Sequence, residues 1–427
     1  MTFDEKLAFL RRVTIERGVY VPPFTFGLHE VLYSLSEVQD CWLKSRDVST
    51  SVGGTSLYVH VPFCRERRCT FCMYASSTQY ARIDLIRYRD GIARTFDRWR
   101  NLLPDQLDGF YIGGGTPSIY APGDMKRLLR PFCGLRYREN GERTCEMSPA
   151  TATLRHVDAV AEMHVNRLSL GIQSFDRSVL RAVNRSFAGL GRVGGLCERA
   201  RKLKFIDVNL DLMLGLPLIT EENLRESVRK VVDSGALSST VYYWRQTTEQ
   251  RSRLAWEFGI VCEEMQRYGW TLVSGTSDTE HHLFHSPERL PNLFRQATNA
   301  NCVDNRKVVG LGVHAHGFRS GFSYSCRADR AYYVWRMNEA TQMRMAMANF
   351  LYFGKGRVNK AAFYRLFGCR IEDVFTDEIV ALQNAGLLLD ELSAIEIVGA
   401  DPIERCACQK MFWDWGYLVR TYGEFLP

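Results

Sequence analysis

From residue 57 onward the chain alternates short apolar runs with longer amphipathic stretches. Short runs bounded by turn residues read as buried strands, and repeats of three to four positions read as helices. The pattern predicts strands at 57–61, 110–112, 143–147, 167–172, 207–214, 239–244 and 270–273. Helices are predicted near 83–103, 124–131, 153–163, 221–233 and 251–267, with further helical stretches up to 202. Such alternation builds a parallel sheet with helical crossovers. Six or seven units in succession predict an α/β fold, a partial or full parallel (β/α) barrel.

Beyond about residue 280 the pattern changes. A helix is expected at 332–350, short helices at 361–367 and 376–385, and a hairpin from 386–390 and 394–398. Helix, helix and hairpin in that order resemble a small winged-helix-like C-terminal domain. The predicted organisation is an N-terminal extension (1–50) with a break at Val21, Pro22 and Pro23, then the barrel (51–280). A barrel-covering segment (281–345), the winged-helix-like domain (346–400) and a tail (401–427) follow. Trp413, Trp415 and Tyr417 predict that the tail packs onto the domain and over the barrel mouth.

Polar and glycine signals fall where the strands end: a cysteine-rich loop, Gly113–Thr116, Glu146, Gln173 and Asp211. In barrel enzymes chemistry sits on that carboxyl-end face. The loop carries Cys64, Cys69 and Cys72 directly after an apolar run, with Arg65, Arg67 and Arg68 between. Cationic neighbours favour the thiolate, the form that binds soft metals. A closed zinc site takes four ligands, usually as two separated pairs. Three thiolates on one loop suit a cubane iron–sulfur cluster with one open iron. Zinc and buried, unliganded cysteines are the alternatives.

The composition, 46% hydrophobic and 24% charged over 427 residues, is that of a globular protein. A net charge of +7 without a Lys/Arg block gives no support for nucleic acid. No apolar run reaches membrane-spanning length, so no membrane partner is expected. Met1–Lys6 lacks the order of a secretory signal, and 13 cysteines form no regular framework. A cytoplasmic location is expected. Three further groups read as structural. His314 with His316, and His281, His282 and His285, line a pocket or lie in a polar loop, with haem or metal ligation as the alternative. Cys406 with Cys408 are structural, with an auxiliary cluster as the alternative. Tyr242, Tyr243 and Trp244 fit either a substrate pocket or the core.

Together the motifs resemble a known family. Tyr58–Cys64, the cysteine triplet with Phe71, and Gly113–Ser118 resemble radical S-adenosylmethionine (SAM) enzymes. More narrowly they are similar to the oxygen-independent coproporphyrinogen III oxidase-like branch. Glu146 with Pro149, the run 166–175, Val183–Arg185, Asn209–Leu212 and Gly215–Pro217 extend the match. The resemblance implies that Cys64, Cys69 and Cys72 hold a [4Fe–4S] cluster whose remaining iron binds SAM. One electron then cleaves SAM to methionine and a 5'-deoxyadenosyl radical. It assigns Tyr58, Phe71, Gly114 and Glu146 to that SAM. It assigns Gly115, Thr116, Gln173, Arg185 and Asp211 to a second SAM, with Arg185 and Asp211 paired together as the alternative. The implied partners are a flavodoxin or ferredoxin as electron donor and a small-molecule substrate.

Departures from the branch narrow the activity. The interval between Cys64 and Cys69 is one residue longer than usual, and Met73 and Tyr74 replace the Gly-Cys of the porphyrinogen oxidases. Their characteristic amino-terminal segment is also absent. The expected reaction is therefore methyl or methylene transfer from the second SAM to a substrate carbon. Porphyrinogen decarboxylation is the enzymatic alternative, and haem carriage the non-enzymatic one.

Overall fold

Among the described residues the alternation becomes one thirteen-stranded sheet with a three-stranded satellite. The structure, a computed structural model, describes residues 1–17, 29–45, 54–65, 67–74, 76–139, 141–244, 248–274, 281–289, 307–319, 321–327, 331–353, 356–399 and 402–426. Helix α1 (Phe3–Arg17), strand β1 (His29–Leu32) and α2 (Leu35–Lys44) precede the repeating part. Next come β2 (Thr55–Val61), α3 (Arg82–Arg100), β3 (Gly109–Gly114), α4 (Pro122–Leu129), β4 (Arg143–Met147) and α5 (Leu154–Glu162). They are followed by β5 (Arg167–Gln173), α6 (Arg177–Ala182), α7 (Val193–Lys202), β6 (Asp207–Leu214), α8 (Glu221–Asp233), β7 (Ser238–Tyr243) and α9 (Thr248–Arg267). Strands β8 (Thr271–Ser274), β9 (His281–His285), β10 (Lys307–Leu311), β11 (His316–Arg319), β12 (Phe322–Cys326) and β13 (Tyr332–Arg336) complete the large sheet.

Strands β2 to β7 are mutually parallel, and β10 joins them parallel to β2. The seven form an open, partial barrel, because antiparallel strands flank both sides. Strands β9 and β8 extend it beyond β7; β11, β12, β13 and β1 extend it beyond β10. Two expectations change here. The segment at 270–273 does not continue the parallel series but forms the edge strand β8, antiparallel to β9. The predicted helix at 332–350 begins only at Glu339; Tyr332–Arg336 is strand, paired with β12 and β1. Tyr332, Tyr333, Val334 and Trp335 are strand-forming side chains that gain more against a sheet face than in a helix.

Parity decides what the strands bury. On β2, Leu57, Val59 and Val61 face the helical layer and are fully buried, while Tyr58 and His60 take the other face. On β5 and β6 the register pairs Arg167 with Asp207, Ser169 with Asn209 and Gly171 with Asp211. The barrel interior is thus a polar ladder. Its amino-terminal end is closed by ions: Arg167 Nε lies 2.8 Å from Asp207 and 3.8 Å from Glu142, and Arg289 Nε lies 3.4 Å from Asp207. Higher up, Asn209 donates to Ser169 Oγ at 3.0 Å, and Thr240 donates to Asn209 Oδ1 at 2.9 Å. Buried charges persist only when paired.

A second core lies in the carboxyl-terminal part. A helix at Glu339–Phe353, short helices at Lys360–Phe367 and Thr376–Asn384, and strands β14 (Arg357–Asn359), β15 (Leu388–Asp390) and β16 (Ala394–Ile397) pack around Phe363, Phe375 and Ile395. This core also takes in Leu7, Leu10 and Val13 of α1, and Cys406, Cys408 and Trp413 of the tail. Lys410 Nζ donates to Thr14 Oγ1 at 2.9 Å between buried side chains. The tail packs onto the satellite core, and α1, which was not expected there, packs with it. The first fifty residues are split, for α2 and β1 belong to the large sheet, with Trp42 edge-on to Trp99 at 5.3 Å. Among the described residues no helix is long and apolar enough to cross a membrane.

Candidate cofactor site at the open end of the barrel

The cysteine loop leaves β2 and is tied down at both ends. Cys64 N donates to Ser77 O at 2.9 Å, and Thr70 N donates to Val183 O at 3.1 Å, beyond α6. Phe71, expected beside SAM, anchors the loop by packing with Val179, Val183 and Leu216. Thr116 Oγ1 lies 3.6 Å from Cys64 Sγ, and Arg185 Nη1 3.9 Å from Cys69 Sγ. Burial pushes the Cys72 thiol up, and negative charge on Cys64 and Cys69 adds to the shift, so the three sulfurs sense one another. Among the described residues no three His, Cys, Asp or Glu side chains converge on a single ion. Three soft donors on one short loop suit a polynuclear cluster better than a lone zinc, which takes four ligands.

The end of β3 forms a cradle that admits no side chain. Gly114 has φ +103°, and a Cβ there would meet the His60 imidazole at 2.5 Å. A Cβ on Gly115 would meet Phe63 O at 2.5 Å, while Gly115 N donates to Val61 O at 2.7 Å. Only glycine fits both positions. Next to them Glu146 accepts from Tyr111 Oη through one oxygen and from Gly114 N at 3.1 Å through the other. Burial pushes the Glu146 carboxyl up despite these two bonds. An ionised carboxylate offers about four acceptor sites, so the two bonds leave acceptors for a ligand amine. Tyr58 Oη shares a hydrogen bond with His60 Nδ1 at 2.8 Å, and its ring centroid lies 6.1 Å from that of Tyr111.

Across the mouth, Gln173 ends β5 with φ +72°, a left-handed backbone that glutamine seldom adopts. Its Oε1 is buried and accepts no hydrogen bond among the described residues. Such a group costs free energy until a partner arrives. Arg185 Nη2 donates to Gly171 O. A Cβ on Gly171 would meet Arg185 Nη2 at 2.9 Å and Gln173 Nε2 at 3.1 Å, so the two side chains converge over that glycine. Asp211 Oδ1 accepts from Asn209 at 2.6 Å, and Ser169 Oγ lies 3.5 Å from Oδ2. Parallel pairing thus brings the residues of both expected SAM sites to one end of the sheet, beside the cysteines.

His60, Tyr111 and Asn184 were not expected there. The first two were signalled by parity, since they alternate with buried apolar residues on β2 and β3. Asn184, with φ +57° and its carbonyl 3.9 Å from Cys69 Sγ, lay inside the Val183–Arg185 motif but was given no role of its own. The other candidates lie elsewhere or in the core. His282 stacks on Phe258 at 4.0 Å and lies tilted against Tyr243 at 4.8 Å, within strand β9 and not in a polar loop. Cys406 and Cys408 are buried in the helix Pro402–Lys410, where burial raises the Cys408 thiol to about 12. His314, with φ +64°, sits at the open end, its ring 6.4 Å from His60.

Residues 58–231 match the model of the radical SAM superfamily. The chain is 26% identical over 364 residues to the "Heme chaperone HemW" of Lactococcus lactis, covering 80% of this chain and 93% of that protein. It is 32% identical over 185 residues to the oxygen-independent coproporphyrinogen III oxidase of Pseudomonas aeruginosa, covering 42% of this chain and 39% of that enzyme. It therefore spans well under half of that relative. The solved structure of coproporphyrinogen III oxidase (HemN) from Escherichia coli superposes with a TM-score of 0.68 at 17% identity, covering 90% of this chain and 99% of that one. That likeness establishes the fold.

Proposed function

We propose, from the premise that residues 58–231 are a radical SAM domain in a chain with HemN- and HemW-like relatives, that this enzyme cleaves SAM reductively and uses a second SAM to place a methyl or methylene group on a carbon of a small-molecule substrate. The domain's cofactors, a [4Fe–4S] cluster and SAM, supply when bound a one-electron cleavage of a carbon–sulfur bond and an oxidant able to take hydrogen from unactivated carbon. In this reading Cys64, Cys69 and Cys72 ligate the cluster. Gly114 lets backbone approach the first SAM, Glu146 accepts from its amine, and Tyr58 and Phe71 wall it from water. Gly115, Thr116, Gln173, Arg185 and Asp211 receive the second. The observation that carries the reading is the buried, unpartnered Gln173 Oε1 beside an arginine that reaches Cys69. It supports a second polar receptor next to the cluster loop. Thirteen cysteines without a regular framework fit a reducing, cytoplasmic setting.

The test is anaerobic reconstitution with SAM labelled at its methyl group. Equal amounts of 5'-deoxyadenosine and S-adenosylhomocysteine, with label in the product, are expected. Deoxyadenosine without S-adenosylhomocysteine would overturn carbon transfer and favour direct hydrogen abstraction, as in an oxidase. A second reading, haem carriage, is favoured by the near full-length similarity to the Lactococcus haem chaperone and by His314 at the open end. Haem titration separates the two: a Soret shift lost in His314→Ala supports carriage, and no shift removes it.

A further inference from the structure

The surface around the cysteine loop is basic and apolar over two elements far apart in sequence. Arg65, Arg67 and Arg68 are exposed on the loop, and Met73 just beyond it is 81% exposed. Against the loop lies α6, joined by the Thr70 N to Val183 O bond and by Phe71 packed on Val179 and Val183. Its outer face presents Arg177 and Arg181, one turn apart and both exposed. Their guanidinium carbons lie 5.6 and 5.3 Å from the Phe187 ring, which is 37% exposed. The acids of these two segments are Glu66 and Asp176, and Asp176 is engaged in capping α6.

A ring held under two guanidiniums gives a preformed site for a partner that brings carboxylates around an apolar centre. We infer that the face made by the cysteine loop and α6 is the docking surface for an acidic one-electron carrier protein of the flavodoxin or ferredoxin type. Charge complementarity and position argue together. The face lies directly outside Cys69 and Cys72, both partly accessible to solvent, and away from the polar ladder inside the barrel. In each encounter the carrier is oxidised by one electron and the acceptor held by the three cysteines is reduced by one. No bond forms or breaks at the surface.

This inference rests on the radical-chemistry reading, and its test separates the two. Biolayer interferometry measures binding of oxidised flavodoxin to the anaerobically purified protein at rising salt. SAM cleavage is measured in parallel with reduced flavodoxin and with dithionite. Arg177→Glu/Arg181→Glu is expected to weaken binding about tenfold or more and flatten its salt dependence, since rim charges act through steering and screening. Cleavage driven by flavodoxin should fall in step, and cleavage driven by dithionite should be unchanged. Unaltered binding by the double variant overturns the docking surface. So does equally tight binding of heparin, which would mark a general polyanion site. Absence of dithionite-driven cleavage in the unmodified protein overturns the functional reading and leaves the binding result to judge the surface.

Discussion

At the scale of single residues the open end of the barrel holds strain and unmet polarity. Gln173 carries both, a left-handed backbone and a carbonyl oxygen without a donor. Left-handed conformation costs an ordinary residue roughly 1–2 kcal/mol, partly offset when glycine replaces it. Gln173→Gly is therefore expected to raise the stability of cofactor-free protein by about 0.5–1 kcal/mol in chemical denaturation. The same variant should cleave SAM yet lose transfer of label to product. A drop in stability would show that the amide serves packing and not a ligand. The glycines at the end of β3 were legible in sequence through the resemblance of Gly113–Ser118 to the family's motif. Parity marked the face that His60 takes, but that its imidazole blocks the Cβ position of Gly114 follows only from pairing between β2 and β3.

Among the elements, the short helix α6 supports the cysteine loop. Its start is fixed by Asp176, which accepts from Ser178 N at 2.7 Å and Val179 N at 3.0 Å. Partial burial pushes this carboxyl up, but the bonds from Ser178 and Val179 outweigh it and hold the group below the ordinary aspartate value. A depressed folded-state pKa adds stability above the unfolded value that is lost as pH falls through the folded one. Asp176→Ala should therefore cost about 1 kcal/mol at neutral pH, and the gap from the unmodified protein should close below about pH 4. Urea denaturation at several pH values measures it; a gap constant down to acid would exclude the ionised cap. Strand β13 shows where element prediction failed. Its residues fit a helical period, but the open edge of β12 supplies backbone partners that a sequence window does not contain.

Over the whole molecule two cores share the chain, and the satellite is closed by its two ends. Leu10 of α1 is fully buried among Cys406, Phe412 and Trp413. Leu10→Ala is expected to lower stability by about 2–5 kcal/mol, seen as an earlier thermal transition, with dithionite-driven SAM cleavage retained below it. Loss of cleavage in parallel would show that the cores unfold as one unit. The sequence by itself determined the strand–helix alternation, the parallel sheet and the cysteine loop, because periodicity and ligand spacing are local properties of the chain. It also marked which strand ends carry polar groups. Tertiary structure alone decided that the barrel stays open with antiparallel flanks, that α1 and the tail complete the second core, and that His60, Tyr111 and Asn184 reach the cofactor end. Those outcomes come from contacts between segments tens to hundreds of residues apart, whose free energy depends on burial that no single segment achieves alone.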